Sequence, residues 1–493
     1  MDPIYLLLIG MVIVIGGILV FRLHAFLALT LAGLAVAMLT PLENLEKFAQ
    51  YESRKAKDPW SQEQVEKFVT AAEKDSGVKR FATELGNTAG KIAILIAMAA
   101  IIGKCLLDSG SADRIVRTAL VVVGERRAPL AFIGSGFTLG IPVFFDTVFY
   151  LMIPLGKALR LRTGGNYTLY ILTIVAGATM AHSLVPPTPG PLFVADALGV
   201  NLGTMMLAGI AVGLITASVG YGWARLANGW WQVPLRETPD TSLKDLEQLA
   251  KKPDSALPPL WIAILPILLP VVLIVAATSL DTYLKANPQA VLSPALISTV
   301  KTLGDKNIAL TIAAAVALAT LAWQNRSSFA DLSTVTGAAL ASGGVIILIT
   351  AAGGGFGGVL RQTGIAERIQ ELFPHTRTLW MLPVAFFITT LVRTAQGSAT
   401  VAMITAVSII ATLVEPAADG SSTLSFHPVY VALAIGSGSK PLAWMNDSGF
   451  WVICKMSGMT EAEGLKLITP MSAAMGLAGL AITTLAAWLL PLV

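Results

Sequence analysis

Residues 180–191 constrain the fold of this chain more than any other stretch. They read MAHSLVPPTPGP and place four prolines, a glycine and a histidine between two apolar segments. Proline lacks a backbone N–H and cannot continue a helix interior, so a helix that enters this stretch must break. In hydrocarbon a broken backbone persists only where protein or a water-filled cavity satisfies its freed carbonyl groups. The stretch therefore predicts a broken transmembrane helix of the kind that forms substrate sites in many transporters.

The composition agrees with a membrane location. Of the 493 residues, 55% are hydrophobic and 13% are charged, and the mean hydropathy is +0.71. Soluble domains carry roughly 25% charged residues, so this composition predicts an all-α polytopic membrane protein. The net charge of +4 gives no indication of a nucleic-acid partner. Cys105 and Cys454 lie far apart and outside any CxxC motif, and the sequence indicates no metal site and no cofactor.

Apolar runs divide the chain into segments close to the roughly 20 residues that a helix needs to cross a bilayer. Two runs, 128–156 and 379–414, are longer, and polar residues and glycine interrupt both near the middle. Each is predicted to form a re-entrant helical hairpin that enters the membrane, turns and leaves on the same side. The other runs are predicted to cross the membrane; they are 4–21, 24–40, 90–107, 167–200, 203–223, 260–280, 307–323, 338–360, 427–453 and 467–493.

An internal repeat accompanies these runs. The sequence SGSADRI at 109–115 matches TGIAERI at 363–369 in residue type at six of seven positions, at an offset of 254 residues. The same offset carries the middle of the first hairpin onto the middle of the second. It also carries His182 onto Gly436, where a second break rich in glycine and serine begins. Three landmarks at one offset predict two related halves.

The halves are expected to have opposite orientations in the membrane, because each contains an odd number of crossings, five, and one hairpin. The predicted inner loops hold 15 Lys and Arg residues, and the predicted outer loops of the second half hold 6, which favours both chain ends outside; the long 41–88 insertion is nearly neutral and counts less. The predicted parts are a first repeat at 1–231 with a hydrophilic insertion at 41–88, a cytoplasmic linker at 232–258, and a second repeat at 259–493.

Ionisable residues at membrane depth are costly and by default mark function. Asp146 lies at the turn of the first hairpin, where a desolvated carboxylate could take up a proton. The alternative is a carboxylate that caps the returning half-helix. His182 lies beside the proline break and is either a proton or substrate ligand or a satisfied hydrogen-bonding residue.

The second hairpin turns at RTAQGSAT, residues 393–400. Ser398, Thr400 and nearby backbone N–H groups lead into a helix and could hold an anion at its positive end. Arg393 adds a planar fork suited to a carboxylate. Alternatively, Arg393 pairs with Asp146 or Asp447, or extends its head group to the membrane interface.

The second broken span contains GSGSK at 436–440 and NDSGFW at 446–451. Asn446 and Asp447 offer one neutral and one charged group in an apolar helix, which favours a role in lining a substrate path. An ion pair between Asp447 and Lys440, with helix capping, is the alternative. The glycine-rich run at 353–358 lacks the lysine of a phosphate-binding loop and predicts close helix contact instead.

Taken together, three motifs resemble those of the gluconate permease (GntP) family of bacterial gluconate/proton symporters. They are HSLVPPTPGP at 182–191, RTAQGSAT at 393–400, and GSGS at 436–439 followed by NDSGFW. The resemblance covers the chain from residue 90 onward and the two opening spans. It implies import of a sugar acid such as gluconate, driven by a proton gradient across a bacterial inner membrane.

The resemblance extends to the wider ion-transporter superfamily, and so implies inverted repeats, two re-entrant hairpins, an elevator-like transport domain and often a homodimer. Asp146 stands where the family tends to have an acidic residue. Lys440 departs from the pattern, because the family usually has an uncharged residue there, and the 41–88 insertion is longer than usual. Since relatives also carry D-serine or other hydroxy acids, Lys440 leaves the identity of the substrate open.

The predicted function is a secondary active symporter for a small hydroxylated carboxylate. A membrane-embedded enzyme is disfavoured because the four histidines are scattered and no HExxH motif occurs. A channel is disfavoured because paired hairpins and inverted halves fit alternating access better. A sodium-coupled amino-acid carrier is the closest rival. The predicted substrate-binding residues are Arg393, Gln396, Ser398, Thr400, Ser437, Ser439 and Asn446, and the proton-coupling candidates are Asp146, His182 and Asp447.

Overall fold

The computed structural model describes the chain except for residues 22, 56–60, 237–256, 288–291, 366–367, 369–378, 415–423, 446 and 493. Every regular element in the described ranges is helical. The first half contains α1 (Pro3–Leu19), α2 (Ala25–Leu39), α3 (Leu42–Lys55), α4 (Gln62–Lys74), α5 (Gly77–Asp108), α6 (Ser111–Val123), α7 (Ala128–Gly140), α8 (Phe145–Thr163), α9 (Tyr167–Leu184), α10 (Pro189–Ala197) and α11 (Leu202–Trp230).

The described helices after residue 256 complete the fold. They are α12 (Leu260–Ala286), α13 (Pro294–Leu303), α14 (Lys306–Asn325), α15 (Phe329–Arg361), α16 (Met381–Gln396), α17 (Ala399–Leu413), α18 (Val429–Gly438), α19 (Ser448–Ser457) and α20 (Glu461–Leu489). Helices α15, α16 and α17 begin 252, 253 and 254 residues after α5, α7 and α8. The order of these helices therefore repeats at nearly the offset read from the sequence, and the inversion of the second half stays a prediction.

Many of these helices are membrane spans by length and composition. Seven spans in the described chain are long and apolar enough to cross, with α9 and α10 together counted as one. An eighth is added if α2 and the start of α3, which meet at 95°, form one bent span. The predicted all-α polytopic fold is confirmed.

Both predicted hairpin runs are interrupted near their middle. In the first, α7 ends at Gly140 and α8 begins at Phe145. In the second, α16 and α17 are separated by Gly397 and Ser398. Gly397 has a φ of 78°, a left-handed conformation that a side chain disfavours, and it ends α16 there. Whether these helix pairs are re-entrant stays a prediction.

Helices α5 and α15 begin earlier than the hydropathy predicts. The apolar runs start at 90 and 338, whereas the helices start at Gly77 and Phe329. Ser76 and Ser328 cap the two N-termini through side-chain acceptors, and the polar first turns extend each helix beyond its apolar part. The hydrophilic insertion therefore forms α3, α4 and the start of α5.

The glycine-rich run of α15 packs against neighbouring helices. A Cβ added to Gly354 would lie 2.2 Å from Thr88 Oγ1 of α5, and one added to Gly353 would lie 2.2 Å from Ile404 Cγ2 of α17. Such approach is open only to glycine. The prediction that this run permits close helix contact is confirmed.

Both described ends of the predicted linker are held by arginines. Arg236 donates to the Gly458 carbonyl and to Glu463 Oε2, both at 2.7 Å, at the start of α20. Arg114 of α6 donates to the carbonyl oxygens of Pro258 at 2.7 Å and Leu257 at 3.3 Å. The segment 237–256 between them lies outside the described residues, and the division of the chain at 232–258 stays a prediction.

Candidate functional site

A cavity of about 330 Å³ lies where both interrupted hairpins and both broken spans meet. Its size is at the lower end of the range of about 300–1,000 Å³ typical of small-molecule sites. Helices α8, α9, α15, α16, α17, α19 and α20 contribute to its wall. Seven of the ten residues predicted from the sequence line it: Asp146, His182, Arg393, Ser398, Thr400, Ser439 and Asp447.

Arg393 is the most completely engaged of these residues. It is 5% exposed, and its side chain forms an ion pair with Asp447 through Nη2 and Oδ2. Nη1 donates to the Gly397 carbonyl, and Nε donates to the Ser439 carbonyl at 3.0 Å. Of the partners that the sequence left open, the structure therefore selects Asp447. The guanidinium ties the end of α16 to the break between α18 and α19.

Asp447 has a second task at the N-terminus of α19. Its Oδ1 accepts a hydrogen bond at 2.8 Å from the backbone N–H of Gly449. A carboxylate at this end of a helix also interacts favourably with the helix dipole. The predicted capping role is confirmed, whereas the alternative pairing with Lys440 is wrong, because Arg393 is the ion-pair partner.

Asp146 lies in the first turn of α8 and has no direct partner in the described part of the chain. The residue before the helix, Phe144, provides no side-chain cap. Among the described residues, none forms a hydrogen bond or an ion pair with the Asp146 carboxylate, which lines the cavity. The capping alternative is therefore wrong for Asp146. The cavity contains one carboxylate that is already neutralised, Asp447, and one that is not.

His182 faces the cavity from the last turn of α9. Its Nε2 lies 3.5 Å from Thr400 Oγ1 at the start of α17. Its ring packs edge-on against Phe144, with centroids 6.2 Å apart. Its Nδ1 is buried and has no hydrogen-bond partner among the described residues. The ring therefore links the first broken span to the second hairpin through Nε2, while Nδ1 has no hydrogen-bond partner among the described residues.

The predicted serines differ in what their hydroxyl groups do. Ser398 caps α17 by accepting from the N–H of Val401 at 3.4 Å. Ser439 lines the cavity, but its hydroxyl donates to the Gly436 carbonyl at 2.7 Å. Ser437 is buried and absent from the cavity wall, and it packs against Gly479 of α20. Two of the three hydroxyls are therefore used by the local backbone.

The two amides among the predicted site residues cannot be located in the same way. Asn446 and the side chain of Gln396 lie outside the part of the chain that the structure describes. The roles assigned to them stay predictions.

Lys440 is the residue that the sequence left undecided, and it lies in the cavity wall. It is 6% exposed, and Nζ donates at 2.9 Å to the Thr179 carbonyl of α9. The sequence also missed the small hydroxyls that complete the wall, Thr147, Ser342 and Ser472. Their positions on the inward faces of α8, α15 and α20 could be foreseen only with the packing of those helices known.

Comparisons with known proteins agree with this architecture. Residues 68–489 match the family model described as GntP family permease. The chain is 29% identical to a gluconate permease of Pseudomonas aeruginosa, with 97% of this chain and 96% of that one covered. It is 30% identical to a gluconate permease of Zymomonas mobilis, with 82% and 86% covered.

A similar fold occurs in a solved structure. The YdaH transporter of Alcanivorax borkumensis superimposes with a TM-score of 0.58 at 15% identity, with 85% of this chain and 91% of that chain covered. At this identity the likeness concerns the fold alone. The family match and the permease relatives, with the apolar spans, show that the chain is a multi-pass membrane transporter.

Proposed function

The chain belongs to the GntP permease family, and on that premise we propose that it is a secondary active transporter that takes up gluconate or a related sugar acid with protons. The names of the relatives in Pseudomonas aeruginosa and Zymomonas mobilis support this class of substrate. The proposal includes a location in a bacterial inner membrane, two inverted repeats and a homodimer.

One observation carries the proposal: the cavity joins positive groups, an unpaired carboxylate and several hydroxyls in a volume suited to a small polar solute. A sugar acid needs a cation for its carboxylate and hydrogen-bonding groups for its hydroxyls. Asp146, free of partners, is the leading candidate for the coupling proton, because a carboxylate in a cavity at membrane depth is the usual proton carrier in such transporters.

The test is uptake of labelled gluconate into proteoliposomes under an imposed inward proton gradient, with a sodium gradient in parallel. Saturable uptake driven by protons is expected. In Asp146→Asn, accumulation should fall about tenfold or more while exchange at equal pH on both sides persists, because exchange needs no net proton transfer. Asp331→Asn is the matched control, since Asp331 also lies in a first helix turn, but its carboxylate accepts from the N–H of Ser328 and lies outside the cavity wall.

Three results would contradict the proposal. Uptake driven only by sodium would exclude the proton as the coupling ion. Full proton-driven accumulation in Asp146→Asn would exclude Asp146 as the residue that carries the proton. If no sugar acid is taken up under either gradient, sugar acids are excluded as the substrate class.

A second candidate is a carrier of D-serine or another small hydroxy or amino acid. It is favoured by one observation, the presence of the unpaired Asp146 carboxylate and the Lys440 ammonium in the same cavity. This pair could receive the ammonium and carboxylate groups of a zwitterion. Competition by D-serine for gluconate uptake, with comparable affinity, would support it.

A further inference from the structure

The Lys440 ammonium is a buried cation that the protein satisfies only in part. The side chain is almost fully enclosed, and its one hydrogen-bond partner among the described residues is the Thr179 carbonyl. In the described part of the chain, no carboxylate lies within the 4.0 Å of an ion pair. An ammonium has three N–H donors, so two remain available. Burial of a charge is costly unless it is paired, which makes this group ready for an anion.

The other cation in the cavity is already used. Each nitrogen of Arg393 donates to a protein acceptor, and its charge is balanced by Asp447. A substrate carboxylate that bound Arg393 would have to compete with Asp447 and would place two carboxylates together. A carboxylate that binds Lys440 displaces no protein carboxylate, because Lys440 forms no ion pair with a described residue.

We propose that Lys440 Nζ, rather than Arg393, receives the carboxylate of the substrate; this inference rests on the proposed function and assigns the charged end of the substrate to one atom. Lys440 lies at the break between α18 and α19, and the carbonyl that holds it belongs to α9. A substrate bound there bridges both broken spans. Thr147 in the same wall provides a hydroxyl for the remainder of a polyol chain, and Ser472, which donates to the Thr469 carbonyl at 2.9 Å, provides an acceptor oxygen.

The charges of the wall also define the class of substrate. Once the Arg393–Asp447 pair is set aside, the described residues of the wall include one Lys or Arg cation outside any ion pair, Lys440, and one carboxylate outside any ion pair, Asp146. One carboxylate on the substrate finds a partner, whereas a second would meet Asp146 without a cation to balance it. The site is therefore selective for monocarboxylates over dicarboxylates and over uncharged polyols.

The experiment measures binding by the purified full-length protein in detergent with titration calorimetry. The probes are gluconate, glucarate as the dicarboxylate and gluconamide as the uncharged analogue. Lys440→Met is expected to weaken gluconate binding about tenfold to a hundredfold, as for loss of a hydrogen-bonded charge, and to leave gluconamide binding unchanged. Lys440→Arg should retain most of the affinity for gluconate, and wild type should bind glucarate more weakly than gluconate.

Lys104→Met is the matched control, because it removes a lysine that pairs with Asp108 at 2.8 Å and lies outside the cavity wall. Its gluconate affinity should equal that of wild type. If Lys440→Met does not fold, as judged by thermal unfolding, Lys440→Gln takes its place with the same expectation, since the amide keeps a donor for Thr179.

The outcomes separate this inference from the proposed function. If wild type binds gluconate and a folded Lys440 variant binds it equally well, Lys440 is not the anchor and the inference is overturned. If wild type binds neither gluconate nor any other sugar acid, the proposed function is overturned. If Lys440→Met loses affinity for gluconate and for gluconamide equally, Lys440 has a structural role, and this result would also overturn the inference.

Discussion

The two broken spans meet at one cavity but differ in length and charge. The first break, 185–188, has four residues between α9 and α10, all buried and uncharged. Thr188 Oγ1 donates to the Val185 carbonyl at 2.7 Å and closes it internally. The second break, 439–447, has nine residues and contains Lys440 and Asp447. The first break thus carries no charge and contributes no residue to the cavity wall, whereas the second contributes Lys440 and Asp447 to it.

The difference shows that the two breaks meet different requirements, one for a fixed backbone and one for recognition of an ion. A break that fixes the path of a buried span is best made from tightly packed backbone without charges, since buried charges are costly. A surface that recognises an ion needs charges that are held but accessible. A polar contact between the two broken spans is the hydrogen bond from Lys440 Nζ to the Thr179 carbonyl.

The largest effect is expected where the second break holds its ion pair. Asp447→Asn leaves the buried Arg393 charge without a counterion, and loss of one partner of a buried pair costs about 3–5 kcal/mol. Thermal unfolding in detergent should show a large decrease in stability. Asp113→Asn, which removes an arginine partner on α6 outside the cavity, is the control and should cost less.

The ion pair can be tested further by removing both charges. Arg393→Gln combined with Asp447→Asn should be more stable than Asp447→Asn alone, because no unpaired charge remains. Equal stability of wild type and Asp447→Asn would mean that the second break does not depend on its charges, and the contrast between the breaks would be lost.

An intermediate effect is expected in the packing of the first span. A Cβ added to Gly177 of α9 would lie 2.2 Å from the Ile133 carbonyl oxygen of α7, so Gly177→Ala should cost about 1–3 kcal/mol by overpacking. Gly134→Ala on α7 is the control, since nothing lies within 4 Å of its added Cβ. The thermal unfolding temperatures of the two variants should differ clearly. Similar values would contradict the interpretation that α9 is tightly packed against α7.

The smallest effect is expected at the hydroxyl that closes the first break. Thr188→Val removes the bond to the Val185 carbonyl and should cost about 1 kcal/mol. Thr138→Val, which removes a comparable bond to the Gly134 carbonyl at an exposed position, should cost less. Binding of gluconate should change little in either variant, because neither hydroxyl lines the cavity. A strong loss of binding in Thr188→Val would give the neutral break a direct role in recognition.

The sequence predicts where helices lie and break better than which side chains meet. Hydropathy locates the spans, and proline and glycine locate the breaks, because both effects act locally along the chain. The sequence alone leaves Asp146 and Asp447 as alternative partners of Arg393. Asp447 is 54 residues away and becomes a neighbour only through the packing of the helices. Ser437 and Ser439 differ by two residues, a turn of roughly 200° on a helix, so one faces α20 and the other the cavity.

The ion pair has an electrical consequence for a protein in an energised bilayer. Moving one elementary charge across 100 mV involves about 2.3 kcal/mol of work. Arg393 and Asp447 are held together, so the field does almost no net work on them if they move as a unit. Among the described residues Lys440 has no such attached counterion, which makes it the positive charge of the site on which the membrane voltage acts most directly.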